Sequence, residues 1–164
     1  MTETTANLIS DAARAEIDKW VKKYPPEQKQ SAVLTALHLV QEENGGWLTN
    51  EHLTAVANYL EMPPIAVYEV ATFYSMFELK PVGLHKISVC TNISCMLSDC
   101  KKITDHLQQR LQINFGETTA DGKFTLREVE CLAACANAPM MQIDKTYHLD
   151  LTPEKVDKIL DELE

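Results

Sequence analysis

The most informative segment of this chain reads KISVCTNISC, residues 86–95. Its first four residues alternate between polar and apolar, which is typical of a β-strand with one buried face. The segment leads directly into Cys90, and Cys95 follows after four intervening residues. A second pair, Cys131 and Cys135, follows another alternating run. Each pair therefore lies on a loop that leaves a predicted strand, and such loops can direct side chains to a common centre.

Two cysteine pairs in this arrangement favour a metal centre. Thiolates are soft ligands that suit iron–sulfur clusters and zinc. Structural zinc sites use cysteine pairs two to four residues apart, so zinc stays possible. A [2Fe–2S] cluster takes four cysteines at longer intervals such as C-x4-C, so the spacing favours iron–sulfur. The remaining alternative is four cysteines that only fill a core, which is hard to reconcile with two close pairs after strands. A redox dithiol is disfavoured because the sequence has no C-x-x-C.

Cys100 is the fifth cysteine, and it stands five residues beyond Cys95. The two formally repeat the C-x4-C spacing. Helical periodicity places Cys100 one turn before Ile103, so packing inside a helix is the simpler interpretation.

Composition and charge restrict the function classes. The 164 residues are 45% hydrophobic and 24% charged, which indicates one globular domain or two small ones. The net charge of −9 counts against binding to nucleic acid. We expect no membrane insertion, because no apolar run approaches the roughly 18 residues of a spanning helix. The start lacks a secretory signal, so we expect a cytoplasmic location, where structural disulfides are disfavoured.

The first half reads as helical and the second half as mixed. Proline and glycine pairs separate four short amphipathic segments, predicted as helices over 11–23, 27–43, 50–60 and 64–77. Short helices of this kind are stable only when they pack together as a bundle. The second half predicts the order β-α-β-β-β-α, with a helix over 98–112, a hairpin over 140–149 and a last helix capped by Thr152.

No catalytic base, nucleophile or nucleotide-binding loop is evident. The sequence contains neither G-x-G-x-x-G nor a P-loop, so nicotinamide and flavin should bind to a partner. The five histidines are scattered singly, and Glu42-Glu43 reads as a solvated helix end. Four aromatic residues at helical spacing favour core packing, with a docking surface as the alternative; they are Tyr68, Phe73, Tyr74 and Phe77.

Together these residues resemble a known family, the small [2Fe–2S] subunit (NuoE type) of the NADH dehydrogenase module of respiratory complex I. The resemblance covers about residues 14–163, and the pairing of C-x4-C with a later E-C-L-x-x-C is highly specific. The chain departs from the family pattern at Ala133, where glycine is usual, and near Asp99, where a glycine is frequent. The matching segments are 70–74, 81–83, 90–95, 122–126, 130–135 with 137–139, and 151–154.

The resemblance implies an α+β chain: a flexible N-terminus over 1–13, a helical bundle domain over 14–80, and a thioredoxin-like [2Fe–2S] ferredoxin domain over 84–164. It implies one [2Fe–2S] cluster held by Cys90, Cys95, Cys131 and Cys135. It also implies a neighbouring subunit that binds FMN and NADH, and further peripheral-arm subunits. The chain would be an electron-transfer subunit of NADH:quinone oxidoreductase without a complete active site, peripheral on the cytoplasmic side of the inner membrane.

Two alternatives stay open at this point. The same subunit type occurs in soluble NAD-linked hydrogenase or formate dehydrogenase diaphorase modules. A zinc-stapled interaction module with no redox role is the alternative from another class.

Overall fold

The computed structural model describes residues 8–163 and divides into two units, which meet in sequence between Pro81 and Val82. The first unit is helical and the second is built on a four-stranded sheet. No helix in the described part of the chain is both long enough and apolar enough to cross a bilayer.

In the described part of the chain, the helical unit is built from four α-helices and a 3-10 segment. One face of each α-helix is apolar and packs into a single core, centred on fully buried side chains such as Ile17, Leu37, Val56 and Val67. The elements are α1 (Asp11–Val21), a 3-10 segment (Pro26–Ala32), α2 (Val33–Glu43), α3 (Asn50–Leu60) and α4 (Pro64–Phe73).

Local sequence signals set the starts of these helices. The Ser10 side chain accepts the N–H of Ala13 and caps α1. Thr49 caps α3 through a reciprocal pair of bonds: its hydroxyl accepts the N–H of His52, and the His52 ring accepts the N–H of Thr49. Residues 11–13, which the resemblance assigned to a flexible N-terminus and the apolar pattern to a helix, belong to α1, and Ala13 is buried. Residues 1–7 lie outside the described residues.

Two of the predicted helices differ from their expected bounds by more than two residues. The single helix expected over 27–43 is instead a 3-10 segment followed by α2. Gln28 leaves the helical region inside that segment, at φ −114° and ψ 30°, and Ala32, the residue before α2, has φ −85° and ψ 1°. The helix expected over 64–77 ends at Phe73, and Tyr74 is extended. Beyond that point Gln41 of α2 binds the backbone of residues 76 and 78 instead, so tertiary hydrogen bonds replace the last helical turn.

The second unit has the strand order β2-β1-β3-β4. Strand β1 pairs in parallel with β2, whereas β3 pairs antiparallel with both β1 and β4. In chain order the elements are β1 (His85–Cys90), α5 (Ile93–Leu97), α6 (Cys100–Leu111), β2 (Phe124–Val129), a 3-10 turn (Cys135–Asn137), β3 (Met141–Ile143), β4 (Thr146–His148) and α7 (Pro153–Leu163).

The core of this unit lies between the sheet and the two long helices. Ile87 and Leu126 from adjacent strands are fully buried against Leu107 of α6 and Leu160 of α7. The outer edge of β2 is covered by residues 116–119, whose backbone exchanges hydrogen bonds with Leu126. Strand β4 forms the other edge and is three residues long.

Candidate metal centre

The two cysteine loops leave the sheet at the same edge. Parallel pairing sets Cys90, the last residue of β1, opposite Val129, the last residue of β2. The carboxyl ends of paired parallel strands lie side by side, so the loop after β1 and the loop after β2 begin next to each other. Cys131 follows Val129 by two residues, which brings the start of the second pair beside the first.

Hydrogen bonds hold Cys90 between its neighbours. Its thiol donates to the carbonyl oxygen of Glu130 at 3.6 Å, and its backbone N–H donates to the carbonyl of Met140 at 3.3 Å. The N–H of Thr91 donates to the carbonyl of Val129 at 3.1 Å and continues the ladder by one residue. The first ligand position is thus anchored by β2 on one side and by the approach to β3 on the other.

A short helix turns Cys95 inward. The Asn92 side chain accepts the N–H of Ile93 at 2.6 Å and starts α5, which is five residues long. Cys95 lies on the inner side of α5 and is buried in a small cluster with Cys90, Cys100 and Met140. Sequence periodicity did not predict this helix, because five residues contain little more than one turn.

Burial controls the protonation of these thiols. Burial, together with the neighbouring Cys90 thiol, raises the pKa of the Cys95 thiol to about 11. Burial also raises the pKa of Cys100, and the charges of Cys90 and Glu128 act in the same direction. With a pKa of about 11, Cys95 holds its proton at neutral pH, and its binding to a metal as a thiolate would release that proton.

The second pair lies at the surface. Cys131 and Cys135 are both exposed. The backbone N–H of Ala133 donates to the Cys131 sulfur at 3.3 Å, and Ala133 has a left-handed backbone with φ 60°. The far end of the loop is fixed where Asn137 donates to the Asp150 carboxylate at 3.1 Å.

The structure brings together part of the predicted ligand set. Cys90 and Cys95 share one buried cluster, whereas Cys131 and Cys135 stand outside it on the neighbouring loop. Within residues 8–163, no group of three or more His, Cys, Asp or Glu side chains is close enough to hold a metal ion. The donor set itself fits a [2Fe–2S] cluster, because it supplies four thiols on two loops at one sheet edge. The fit therefore rests on donor chemistry and on the common edge.

Cys100 is the first residue of α6 and is buried against Cys90 and Cys95. Its position inside a helix was predicted, but its contact with the predicted ligands was not. The preceding residue, Asp99, has φ 60°, so the departure from a family glycine noted near this position coincides with a left-handed corner between α5 and α6.

Four of the five histidines have structural partners. His52 belongs to the cap of α3, and His38 contacts the Met76 sulfur at 2.9 Å. His85 pairs with Asp144 at 2.8 Å. His106 of α6 pairs in the same way with Asp157 of α7, at 2.7 Å.

The aromatic residues of α4 and the following segment are mostly exposed. Only Phe77 is buried, so the expectation of core packing is wrong for Tyr68, Phe73 and Tyr74. Phe73 is 80% exposed and packs edge-on against Tyr74. The helix buries Val67 and Ala71 instead, which lie one turn apart on the face that packs into the core.

A second apolar surface was not foreseen in the sequence. The outer side of α5 exposes Ile93, Met96 and Leu97, the last of them 79% exposed. These residues stand on the helix whose inner side carries Cys95. An apolar surface beside a candidate cofactor site is typical of a face that a partner covers.

The chain is similar to known proteins in both sequence and structure. The family model described as "Thioredoxin-like [2Fe-2S] ferredoxin" matches residues 17–164. A subunit of the NADH-quinone oxidoreductase of Rickettsia bellii is 52% identical over 87% of this chain and 86% of its own length. The mitochondrial NADH dehydrogenase [ubiquinone] flavoprotein 2 of Dictyostelium discoideum is 42% identical over 98% of this chain and 62% of its own length.

Among solved structures, an NAD+-reducing [NiFe]-hydrogenase in the air-oxidized state matches with a TM-score of 0.68. The match covers 80% of this chain and 22% of the hydrogenase chain, at 20% identity. At that identity the likeness concerns the fold alone.

Proposed function

Because the chain belongs to the thioredoxin-like [2Fe–2S] ferredoxin family, we propose that it is an electron-transfer subunit of NADH:quinone oxidoreductase that carries one [2Fe–2S] cluster. The observation that carries the proposal is the placement of two cysteine pairs on loops that leave one edge of a mixed sheet. The matching NADH-quinone oxidoreductase subunits of Rickettsia, about half identical over most of both chains, support the same assignment.

The ligands in this proposal are Cys90 and Cys95 from the first loop and Cys131 and Cys135 from the second. When bound, the cluster supplies one-electron transfer. The sheet fixes Cys90 through Glu130 and Met140, and α5 keeps Cys95 away from water. The N–H of Ala133 donates to the Cys131 sulfur, and bonds of this type stabilise the added negative charge of a reduced cluster.

The proposed partner is the subunit that binds FMN and NADH. Electrons arrive from NADH in pairs as hydride, whereas the cluster passes them singly, so a flavin must stand between the two. The exposed pair, Cys131 and Cys135, lies on the surface beside the sheet edge, where a flavin of another chain can approach. We assign the apolar outer side of α5 to this contact.

The exposed aromatic segment of the helical unit is proposed as a second contact with partner subunits. Tyr68, Phe73 and Tyr74 present apolar area that α4 does not bury. Aromatic residues are enriched at the centres of protein interfaces. Through these contacts the chain would be held as a peripheral subunit on the cytoplasmic side of the membrane.

The cluster is tested on the isolated chain, produced anaerobically with iron and sulfide. The expected product is red-brown, bleaches with dithionite and contains two irons and two acid-labile sulfides, the composition of a [2Fe–2S] centre. A colourless protein that contains zinc would establish the interaction module instead. Cys95→Ala should lose iron and sulfide, whereas the matched variant Cys100→Ala should retain both. The reverse result would contradict the ligand assignment.

The enclosing complex is tested by purification from the native source. Recovery with a flavin subunit and with quinone-reducing membrane subunits supports the proposal. Recovery with a hydrogenase or formate dehydrogenase would assign the chain to a diaphorase module.

A further inference from the structure

One carboxylate is held at the edge of the sheet from which both ligand loops leave. The hydroxyl of Thr91 donates to Oε1 of Glu128 at 2.8 Å. Thr91 is the residue next to Cys90, and Glu128 is the penultimate residue of β2. This bond joins the first residue of one ligand loop to the strand that leads into the other.

Both ends of the bond are fixed by the backbone. Glu128 is paired in parallel register with Val89, the residue before Cys90. The N–H of Thr91 donates to the carbonyl of Val129, directly after Glu128. The backbone of Glu128 therefore lies in the ladder, and its carboxylate is bound to Thr91, whose own backbone is also bonded to the ladder. A side chain held at both ends places its charge at one position beside the cysteine loops.

We propose that Thr91 positions the Glu128 carboxylate so that its negative charge lowers the reduction potential of the cluster. This inference rests on the proposed function, since it requires a cluster at the four cysteines. Reduction adds one electron to the cluster, and a fixed negative charge nearby makes that addition less favourable. The effect is electrostatic, so it depends on the charge of Glu128 and on its distance more than on the volume of the side chain.

The potential of the cluster determines when it accepts an electron. With the carboxylate in place, the cluster stays oxidised until the flavin partner is strongly reduced. Without the carboxylate, the cluster fills at a milder potential. Thr91 and Glu128 are thus assigned a tuning role, distinct from the ligand role of the cysteines.

The central experiment is a redox titration of the cluster-loaded chain, in which the reduced form is followed by electron paramagnetic resonance. Glu128→Gln removes the charge and keeps an oxygen that can accept the Thr91 hydroxyl. At a fixed ambient potential the ratio of reduced to oxidised cluster should rise about tenfold, which corresponds to 59 mV for a one-electron couple. Thr91→Val releases the carboxylate and should shift the ratio in the same direction by less, whereas Thr91→Ser keeps the hydroxyl and should match the parent.

Asp121→Asn is the matched control. It also removes one negative charge, but Asp121 lies in the turn before β2, at the opposite end of that strand. The rise from Phe124 to Glu128 alone spans about 13 Å. We expect the control to leave the ratio within about twofold of the parent, because exposed charges are screened over about 10 Å.

Iron and sulfide contents separate the possible failures. A parent chain without acid-labile sulfide would overturn the proposed function itself. A loaded Glu128→Gln variant whose ratio stays within twofold of the parent, or a control that shifts as far as Glu128→Gln, would overturn the tuning role. If Glu128→Gln fails to load, Thr91→Val decides the question: an unchanged ratio in the loaded Thr91→Val chain refutes the inference.

Discussion

Replacing Gln41 by methionine should lower the free energy of unfolding of the helical unit by about 2 kcal/mol. The Gln41 side chain is buried and binds the backbone that follows α4 at two points. Its Nε2 donates to the carbonyl of Met76 at 3.1 Å, and its Oε1 accepts the N–H of Glu78 at 2.8 Å. Methionine has nearly the same length but can form neither bond.

The magnitude follows from what each lost bond leaves behind. The bond to the Glu78 N–H is buried, and a buried donor without an acceptor costs about 1–3 kcal/mol. The bond to Met76 is only partly buried, so that carbonyl can turn to water, and its loss costs about 0.5–1.5 kcal/mol. The apolar end of methionine recovers up to about 1 kcal/mol by burial. The net loss is therefore about 2 kcal/mol.

The assay is urea unfolding followed by tryptophan fluorescence. Both tryptophans, Trp20 and Trp47, belong to the helical unit, so their fluorescence in urea reports on that unit alone. Gln30→Met is the matched control, because Gln30 is exposed, and it should change the free energy of unfolding by less than about 0.5 kcal/mol. A loss below about 0.5 kcal/mol for Gln41→Met would show that the backbone bend does not depend on this side chain.

Three further predictions concern the cap of α3, the second cysteine loop and the sheet core. Burial lowers the pKa of His52 from its ordinary value of 6.5. The contribution of neutral His52 to the free energy of unfolding is therefore fully present above about pH 6.5 and is lost as the pH falls through the lower pKa of the folded state. His52→Gln keeps the capping box without titrating and should flatten this decline in urea titrations between pH 7 and pH 5; an unchanged slope would exclude His52 as its source. Ala133→Gly should raise the thermal stability of the second unit by up to about 1 kcal/mol, because glycine adopts φ 60° without the cost that alanine bears, and a lower melting temperature would contradict this reasoning. Leu126→Ala, at a fully buried site, should lower the free energy of unfolding by about 2–5 kcal/mol, measured by circular dichroism in urea. Leu84→Ala, at a position 75% exposed, should lower it by less than about 0.5 kcal/mol, and equal losses would refute the assigned core.

Signals that are local in sequence predicted the corresponding elements well. Thr152 followed by Pro153 predicted the start of the last helix, and α7 begins at Pro153 with the Thr152 hydroxyl accepting an N–H from its first turn. Alternation before Cys90 predicted β1 within one residue at each end. These signals suffice because a cap or an alternating run acts on its own backbone.

Elements that depend on distant contacts could not be predicted in this way. The apolar pattern of α4 continues to Phe77, but the helix ends at Phe73, because Gln41 from α2 captures the backbone beyond it. Nothing within residues 64–77 encodes that capture. Phe73 lies on the side of α4 opposite the buried Val67 and Ala71, so its assignment to the core was wrong for a reason of helix geometry.

For the candidate site, the spacing of the cysteines predicted two loops, and the topology brings those loops to one edge. The left-handed backbone at Ala133 lies at a position where the family usually has glycine, so only the family pattern indicated it and this chain's own residue did not. The bond between Thr91 and Glu128 depends on the parallel register of β1 with β2, which the sequence does not specify. The ligand set therefore stays a prediction, based on residue type, spacing and family membership.

The two edges of the sheet are protected against pairing with other copies of the chain. An exposed edge strand can pair with the same strand of another copy and so start aggregation, and a long, flat edge strand carries the highest risk. Here one edge is occupied by residues 116–119, and the other is a strand of only three residues, Thr146–His148. The sheet therefore offers little free backbone to which a second copy of the chain could add a strand.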